Sequence, residues 1–278
     1  PSRANVASPY PTQTFSSDGI SIAYFDVGEG DPILLVHGFA SSKSMNWVTP
    51  GWVDTLLKDG RRVIALDNRG HGESEKLYDT EAYPANVMSG DAARLIDHLD
   101  LGRVDVMGYS MGARISAFLS LAHPEKVRSV VFGGLGIGMI RGVGGQDLIV
   151  SALEAPSLAD VTTPLGRKFR QFAQQTGSDL KALAACMRAS NNRISADDIA
   201  GLKPPALIAV GTTDDIAGSA EELAALIPGS KVCSIPDRDH MLAVGDKAYK
   251  KGVLEFLAGA SLGGRPVEKP ASESAGAV

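Results

Sequence analysis

Two cysteines are all that 278 residues contain, Cys186 and Cys233. They form no CxxC pair and have no spaced histidines beside them, which excludes a zinc site and a thioredoxin-like pair. Both are expected as small buried apolar groups, a usage that suits a reducing compartment. No apolar run approaches the ~20 residues that span a bilayer. The stretch PSRANVASPYPTQ at the start is polar and is not read as a signal peptide. A cytoplasmic location with no membrane attachment is therefore expected. Basic clusters are also missing. The 27 Lys and Arg are scattered among 32 Asp and Glu for a net charge of −5, so nucleic acid is not an expected partner. No group of His and carboxylates has metal-ligand spacing. FGGLGIGMIRG lacks the third glycine of a dinucleotide loop, and GFASSKS lacks the glycine that a P-loop needs before Lys43. The expectation is no metal and no cofactor. The expected partner is a small-molecule substrate, with monomer and homodimer both open.

What is there is an ordinary globular composition, 44% hydrophobic and 21% charged, long enough for a full core. TFSSDGISIAYFDVGEG reads as two strands around Asp18-Gly19, a hairpin signal. Four apolar runs follow: ILLVHG, RRVIALD, VDVMGYS and VRSVVFGG. Between them lie helical patterns in GWVDTLLKDG, NVMSGDAARLIDHLDLG and MGARISAFLSLAHPEKV. Strands apolar on both faces and alternating with helices mean a mostly parallel sheet covered on both sides. From residue 135 to about 200 no strand pattern occurs. LGRKFRQFAQQT and DLKALAACMRAS are helical candidates there, and a segment of this length is too long for a plain connection. The rhythm resumes with PALIAVGTTDD, a helix capped at Ser219, KVCSIPDRDH and KAYKKGVLEFLAG. The fold class is α/β, a doubly wound, mostly parallel, eight-stranded sheet with an inserted helical cap. The expected division is a core at 14–134 and 201–260, a cap or lid at 135–200, and flexible tails at 1–13 and 261–278.

Ligands of such sheets bind beyond the carboxyl ends of the strands. Polar residues at those exits are His37, Asp67, Ser110, Asp214 with Asp215, and His240. Ser110 stands in VMGYSMGA, between Gly108 and Gly112, where a buried strand runs into a helix. G-x-S-x-G in that context is a nucleophile elbow: a strained turn that exposes a hydroxyl and needs tiny neighbours.

LLVHGF (34–39), ALDNRGHGES (65–74), VMGYSMGA (106–113), AVGTTDD (209–215) and DRDHM (237–241) together resemble the α/β-hydrolase fold of the HG-F type, in family order. The resemblance implies a cofactor-free serine hydrolase. Ser110 would be the nucleophile and His240 the base. The acid is expected three residues after Gly211, at Asp214, with Asp215 as the rival. Backbone N–H groups of Phe39 and Met111 would form the oxyanion hole, and His37 would brace its loop. Trp47, Met139, Phe172 and Met241 are expected to line an apolar substrate pocket. The expected reaction is cleavage of a small or medium apolar carboxylic ester or lactone through an acyl-enzyme. Carbon–carbon bond hydrolysis or a perhydrolase (haloperoxidase-like) reaction with the same triad is the alternative, and a non-catalytic ligand-binding protein on this fold is a third reading.

Overall fold

The computed structural model of the protein describes residues 8–263. In chain order it contains β1 (Gln13–Ser17), β2 (Ile20–Val27), β3 (Asp31–Val36), α1 (Trp52–Lys58), β4 (Arg61–Leu66), α2 (Ala85–His98), β5 (Val104–Tyr109), α3 (Met111–Ala122) and β6 (Val127–Gly133). There follow α4 (Gly138–Arg141), α5 (Gln146–Glu154), α6 (Pro164–Gln175), α7 (Leu180–Arg188) and α8 (Ala196–Ala200). The chain ends with β7 (Ala206–Gly211), α9 (Ala220–Leu226), β8 (Lys231–Ile235) and α10 (Lys247–Gly263).

The eight strands form one sheet in the order β1-β2-β4-β3-β5-β6-β7-β8. Asp18 and Gly19 both take positive φ, 51° and 85°, which is what a two-residue turn between twisted strands requires. It makes β1 and β2 an antiparallel edge, and β2 pairs antiparallel to β4. The other pairs are parallel. Period-two alternation sends successive side chains to opposite faces. In β3, Leu34 and Val36 join the core under α2 and α3, while Ile33 and Leu35 join the core under α1 and α10. This two-sided burial is why the strand runs read as continuously apolar.

Connections from β3 run outward to β4, then cross back to β5 on the other side of β3. That reversal puts a crevice between the exits of β3 and β5. Residues 37–39 leave β3 there, and Ser110 leaves β5 there.

Between β6 and β7 the described chain is helical, with no strand. Ile149, Leu153, Ala173, Leu183, Ala184 and Met187 of α5, α6 and α7 form a small core of their own, which also takes in Ala40 and Phe39 from the exit of β3. The Thr176 hydroxyl donates to the Ala40 carbonyl at 3.0 Å. These helices thus bury their apolar faces on the strand-exit side.

The expected tails, 1–13 and 261–278, each reach too far into the ordered chain. Gln13 already pairs with Tyr24 in β1, the Tyr10 ring sits 5.2 Å from that of Phe25, and α10 continues to Gly263. The rest of that expectation, residues 1–7 and 264–278, lies outside the described residues. No described helix is long and apolar enough to cross a membrane.

Candidate active site

Ser110 stands at φ 56°, ψ −114°, a conformation that L-residues rarely adopt, between the last residue of β5 and the first of α3. Strain of this kind costs of order 1–3 kcal/mol and persists only when its surroundings hold it. Its N–H is held by the Gly133 carbonyl at 2.7 Å. The two flanking glycines are needed for space. A Cβ on Gly108 would lie 2.0 Å from the Gly112 carbonyl oxygen, and one on Gly112 would lie 2.0 Å from that of Val36. Helix α3 therefore presses against both β5 and β3, and the serine is pushed outward.

His240 reaches this serine from the loop after β8. Its Nε2 lies 3.0 Å from Ser110 Oγ, and its Nδ1 lies 2.7 Å from Asp214 Oδ2. The carboxylate only accepts, so Nδ1 carries the proton and Nε2 is left as a base. Asp214 Oδ1 accepts from the N–H groups of Ile216 and Ala217 at 2.8 and 2.9 Å, so both oxygens are fixed. Burial works to raise the Asp214 pKa. The bond from His240 and the two backbone donors outweigh it and hold the carboxyl below the usual range. Asp215 is exposed and has no bond to His240, so geometry separates the two rivals. Tyr109 adds a contact that no sequence motif marks. Its hydroxyl donates to the His240 carbonyl at 2.6 Å and holds the loop from below.

The exit of β3 is braced by buried polar groups. His37 donates from Nδ1 to the Gly38 carbonyl at 2.7 Å, and its Nε2 accepts from the Asn68 N–H at 2.9 Å. Burial lowers its pKa, so it stays neutral. Asn46 accepts the Gly38 N–H on Oδ1 at 2.9 Å, another residue the sequence did not flag. Lys43 and Asp67 pair at 2.7 Å, both nearly sealed from solvent, and tie the exit of β3 to that of β4. Among the described residues neither the Phe39 N–H nor the Met111 N–H has an acceptor within the protein. Met111 opens α3, where the first amides lack partners in any helix.

A cavity of about 380 Å³ opens over Ser110 and His240. Phe39, Met111, Phe172 and Met241 line it, together with Asn46, Tyr109 and Arg114. Two expected lining residues do not. Trp47 has no exposure and packs edge-on to Trp52 at 6.4 Å, in the core under α1 and α10. The π-helical turn Ser44–Val48 directs it inward while Asn46 and Met45 face the cavity. Met139 is likewise sealed, and packs in the core under α2 and α3. Its short helix presents only one residue per turn to each side. The remaining histidines stay away from the chemistry. His71 is buried beside His37, His98 stacks on Phe15, and His123 lies near Glu125. No group of described residues has the makings of a metal site.

A strand-exit crevice carrying a strained serine bonded to a carboxylate-held histidine defines a hydrolase-type α/β protein. Residues 31–140 match the family model described as the alpha/beta hydrolase fold, and the chain belongs to that family. The dihydrolipoyllysine-residue acetyltransferase component of the acetoin cleaving system of Pseudomonas putida is 30% identical over 259 residues, which cover 86% of this chain and 67% of that protein. An esterase from Exiguobacterium antarcticum superposes with a TM-score of 0.73 at 20% identity, covering 90% of this chain and 98% of that one. A meta-cleavage product hydrolase from Pseudomonas fluorescens IP01 superposes with a TM-score of 0.73 at 23% identity, covering 89% and 98%. These two likenesses concern the fold alone.

Proposed function

We propose that the protein is a serine hydrolase that cleaves a small or medium apolar carboxylic ester or lactone through an acyl-enzyme. The observation that carries this reading is the relay of 3.0 Å from Ser110 to His240 and 2.7 Å from His240 to Asp214, opening on a mostly apolar cavity. A free serine hydroxyl is a weak nucleophile and needs such a base. His240 Nε2 takes the Ser110 proton as Oγ attacks the ester carbonyl carbon. The carbonyl oxygen becomes an oxyanion and accepts from the N–H groups of Phe39 and Met111. Asp214 keeps the imidazolium oriented and offsets its charge. The tetrahedral centre collapses, the C–O bond to the alcohol breaks, and His240 returns its proton to the departing oxygen. A water then gives its proton to His240 and attacks the acyl-Ser110. Collapse frees the acid and restores the hydroxyl.

On this reading residues 14–134 and 201–260 form the catalytic core, and 135–200 act as a lid whose side chains, Phe172 among them, select the acyl group. Phe169 and Phe172 both line the cavity from α6, which supports that division.

Rapid mixing with p-nitrophenyl butyrate tests the chemistry. A burst of nitrophenolate equal to the enzyme concentration, with fluorophosphonate label found on Ser110 by mass spectrometry, is the expected result. Absence of a burst with label elsewhere would reject the acyl-enzyme and favour a binding protein on this fold.

A further inference from the structure

The cavity wall is electrically one-sided. Arg114 and Lys168 line it, and no Asp or Glu does, although the chain carries a net charge of −5. Asp214, beneath His240, has its carboxylate fully engaged. Asp215 lies with Lys168 on a neighbouring recess, exposed to solvent.

Arg114 is the unusual member. It sits one turn past Ser110 on α3, its N–H bonded to the Ser110 carbonyl at 3.3 Å, so the two share a helix face. It is 7% exposed. Nη1 donates to the carbonyls of Met139 and Asn192 at 2.9 and 3.1 Å, and Nη2 to that of Gly138 at 3.0 Å. These acceptors are dipoles and carry no charge. A buried cation ordinarily has an anion beside it. Every described ion pair leaves out both Arg114 and Lys168. Burial, and then the nearby Arg193, push the Arg114 pKa down to about 10, which still leaves it charged at neutral pH.

The donors left over have a definite shape. Nε lacks an acceptor within the protein, and Nη2 has one acceptor for its two hydrogens. The Nε and Nη2 edge of a guanidinium matches the two oxygens of a carboxylate. Arg170 Nε is sealed without a partner, whereas Arg114 Nε is not among the sealed atoms, so solvent or a ligand reaches it.

We propose that the cavity takes a substrate with a free carboxylate in addition to its scissile carbonyl, the carboxylate pairing with Arg114 and drawn in by Lys168. The ester or lactone class of the preceding section then narrows to acyl groups that are apolar in the middle and end in a carboxylate. One helical turn, ~6 Å along the axis, separates Ser110 from Arg114, which fits a spacer of a few carbons. The inference rests on the serine hydrolase reading for its substrate class, but its binding half is separable.

The test uses the full chain and matched p-nitrophenyl esters: the half-esters of succinate, glutarate and adipate, each beside its methyl-capped neutral twin. Wild type is expected to favour at least one half-ester over its twin by about tenfold or more in kcat/KM. Raising salt from low to high concentration shrinks that ratio and leaves the neutral ester alone. Lys168→Gln, a change on an exposed position, reduces the ratio severalfold, and Arg114→Gln reduces it to near one. If Arg114→Gln melts early because three carbonyls lose their donor, Lys168→Gln and the salt dependence decide. A wild-type ratio at or below one on all three spacers, insensitive to salt, overturns the proposal. Calorimetry of Ser110→Ala with glutarate separates the two readings. Glutarate binding that a further Arg114→Gln abolishes, with a wild-type protein that turns over no ester, keeps the anion site and rejects the hydrolase. Ester turnover without preference and without glutarate binding does the reverse.

Discussion

Arg61 and Arg114 are buried to the same degree, 6% and 7% exposed, yet their surroundings differ in kind. At the amino ends of the strands, Arg61 meets Asp59 and Asp105, and Asp105 also takes two bonds from Arg128 and one from Ser129. Arg69, in the loop past β4, holds Asp91 of α2 in the same two-pronged way. Each frame cation is neutralised where it stands. At the carboxyl ends, Arg114 has carbonyls only, Ser110 has a strained backbone, and the amides of Phe39 and Met111 have no acceptor. These frame cations are paired from within, and Arg114 in the crevice is not. Changes in the frame should therefore register in stability, and changes in the crevice in turnover.

The largest effect belongs to Ser110→Ala. Ester turnover should fall by about 10⁴-fold or more with no drop in melting temperature, since the helix and its glycines are untouched. A variant retaining more than about a thousandth of wild-type kcat would take Ser110 out of the mechanism.

Next comes Asp214→Asn, expected to cost about 10⁴-fold in kcat by releasing the wrong tautomer of His240. Asp215→Asn should stay near wild type, because that carboxylate is exposed and bonds nothing at the site. Equal losses in the two variants would contradict the relay.

The frame answers in the other currency. Asp105→Ala removes the buried anion that Arg61 and Arg128 share and leaves them only the more exposed Asp59 and Asp31, and about 3 kcal/mol of unfolding free energy should go, the low end for a broken buried pair. Urea melts measure it. The kcat of the remaining folded protein should not move, and a kcat loss as large as the stability loss would mean that frame and crevice are coupled.

Much of this contrast was legible beforehand, and the parts that were not have a physical reason. The strand exits are readable where two-sided burial makes a strand a continuous apolar run, so the first polar residue after it stands out; Ser110, directly after β5, is of that kind. Asp214 and His240 come three residues past β7 and five past β8, behind other polar residues, and only the family motifs single them out. Trp47 and Met139 sit in single turns, where no period exists to say which side faces the core. Asn46 and Tyr109 act through bonds to backbone at sequence separations of 8 and 131, which no local pattern encodes. Arg114 did leave a trace. It is the charged residue in ARISAFLSLA, four past Ser110 and so on the nucleophile's own face. Helical spacing applied to that one helix would have found it.

A smaller effect tests the helices between β6 and β7. Phe172 is half-buried and lines the cavity from α6. Phe172→Ala should shift selectivity among acyl chains by ~1–3 kcal/mol in relative kcat/KM, measured from acetate to octanoate esters. A uniform loss over the series would point to destabilisation, and selectivity unchanged in such variants would move the pocket elsewhere.

The smallest expected effect comes from His71, which belongs to the frame although it lies 5.1 Å from His37, ring to ring. Its Nδ1 donates to the Arg69 carbonyl at 2.9 Å, and its Nε2 is sealed with no partner. Burial first, and then His37, lower its pKa to about 3. The folded protein thus keeps it neutral, while the unfolded chain takes up a proton near its ordinary value, ~6.5. The unfolded state binds more protons in that window, so stability rises with pH across it. This contribution is complete above about pH 6.5 and is lost progressively as pH falls toward 3, by ~1.4 kcal/mol per unit once the unfolded form is fully charged. From pH 7.5 to 5.5 the loss is about 1.4 kcal/mol. His71→Gln should flatten the stability profile by that amount over the same interval, read by urea melts at each pH. It should leave the pH dependence of kcat in place, because the proton that moves in turnover belongs to His240. A kcat profile that shifts with His71→Gln would show that this imidazole, sealed as it is, communicates with the crevice through His37 and the loop after β3.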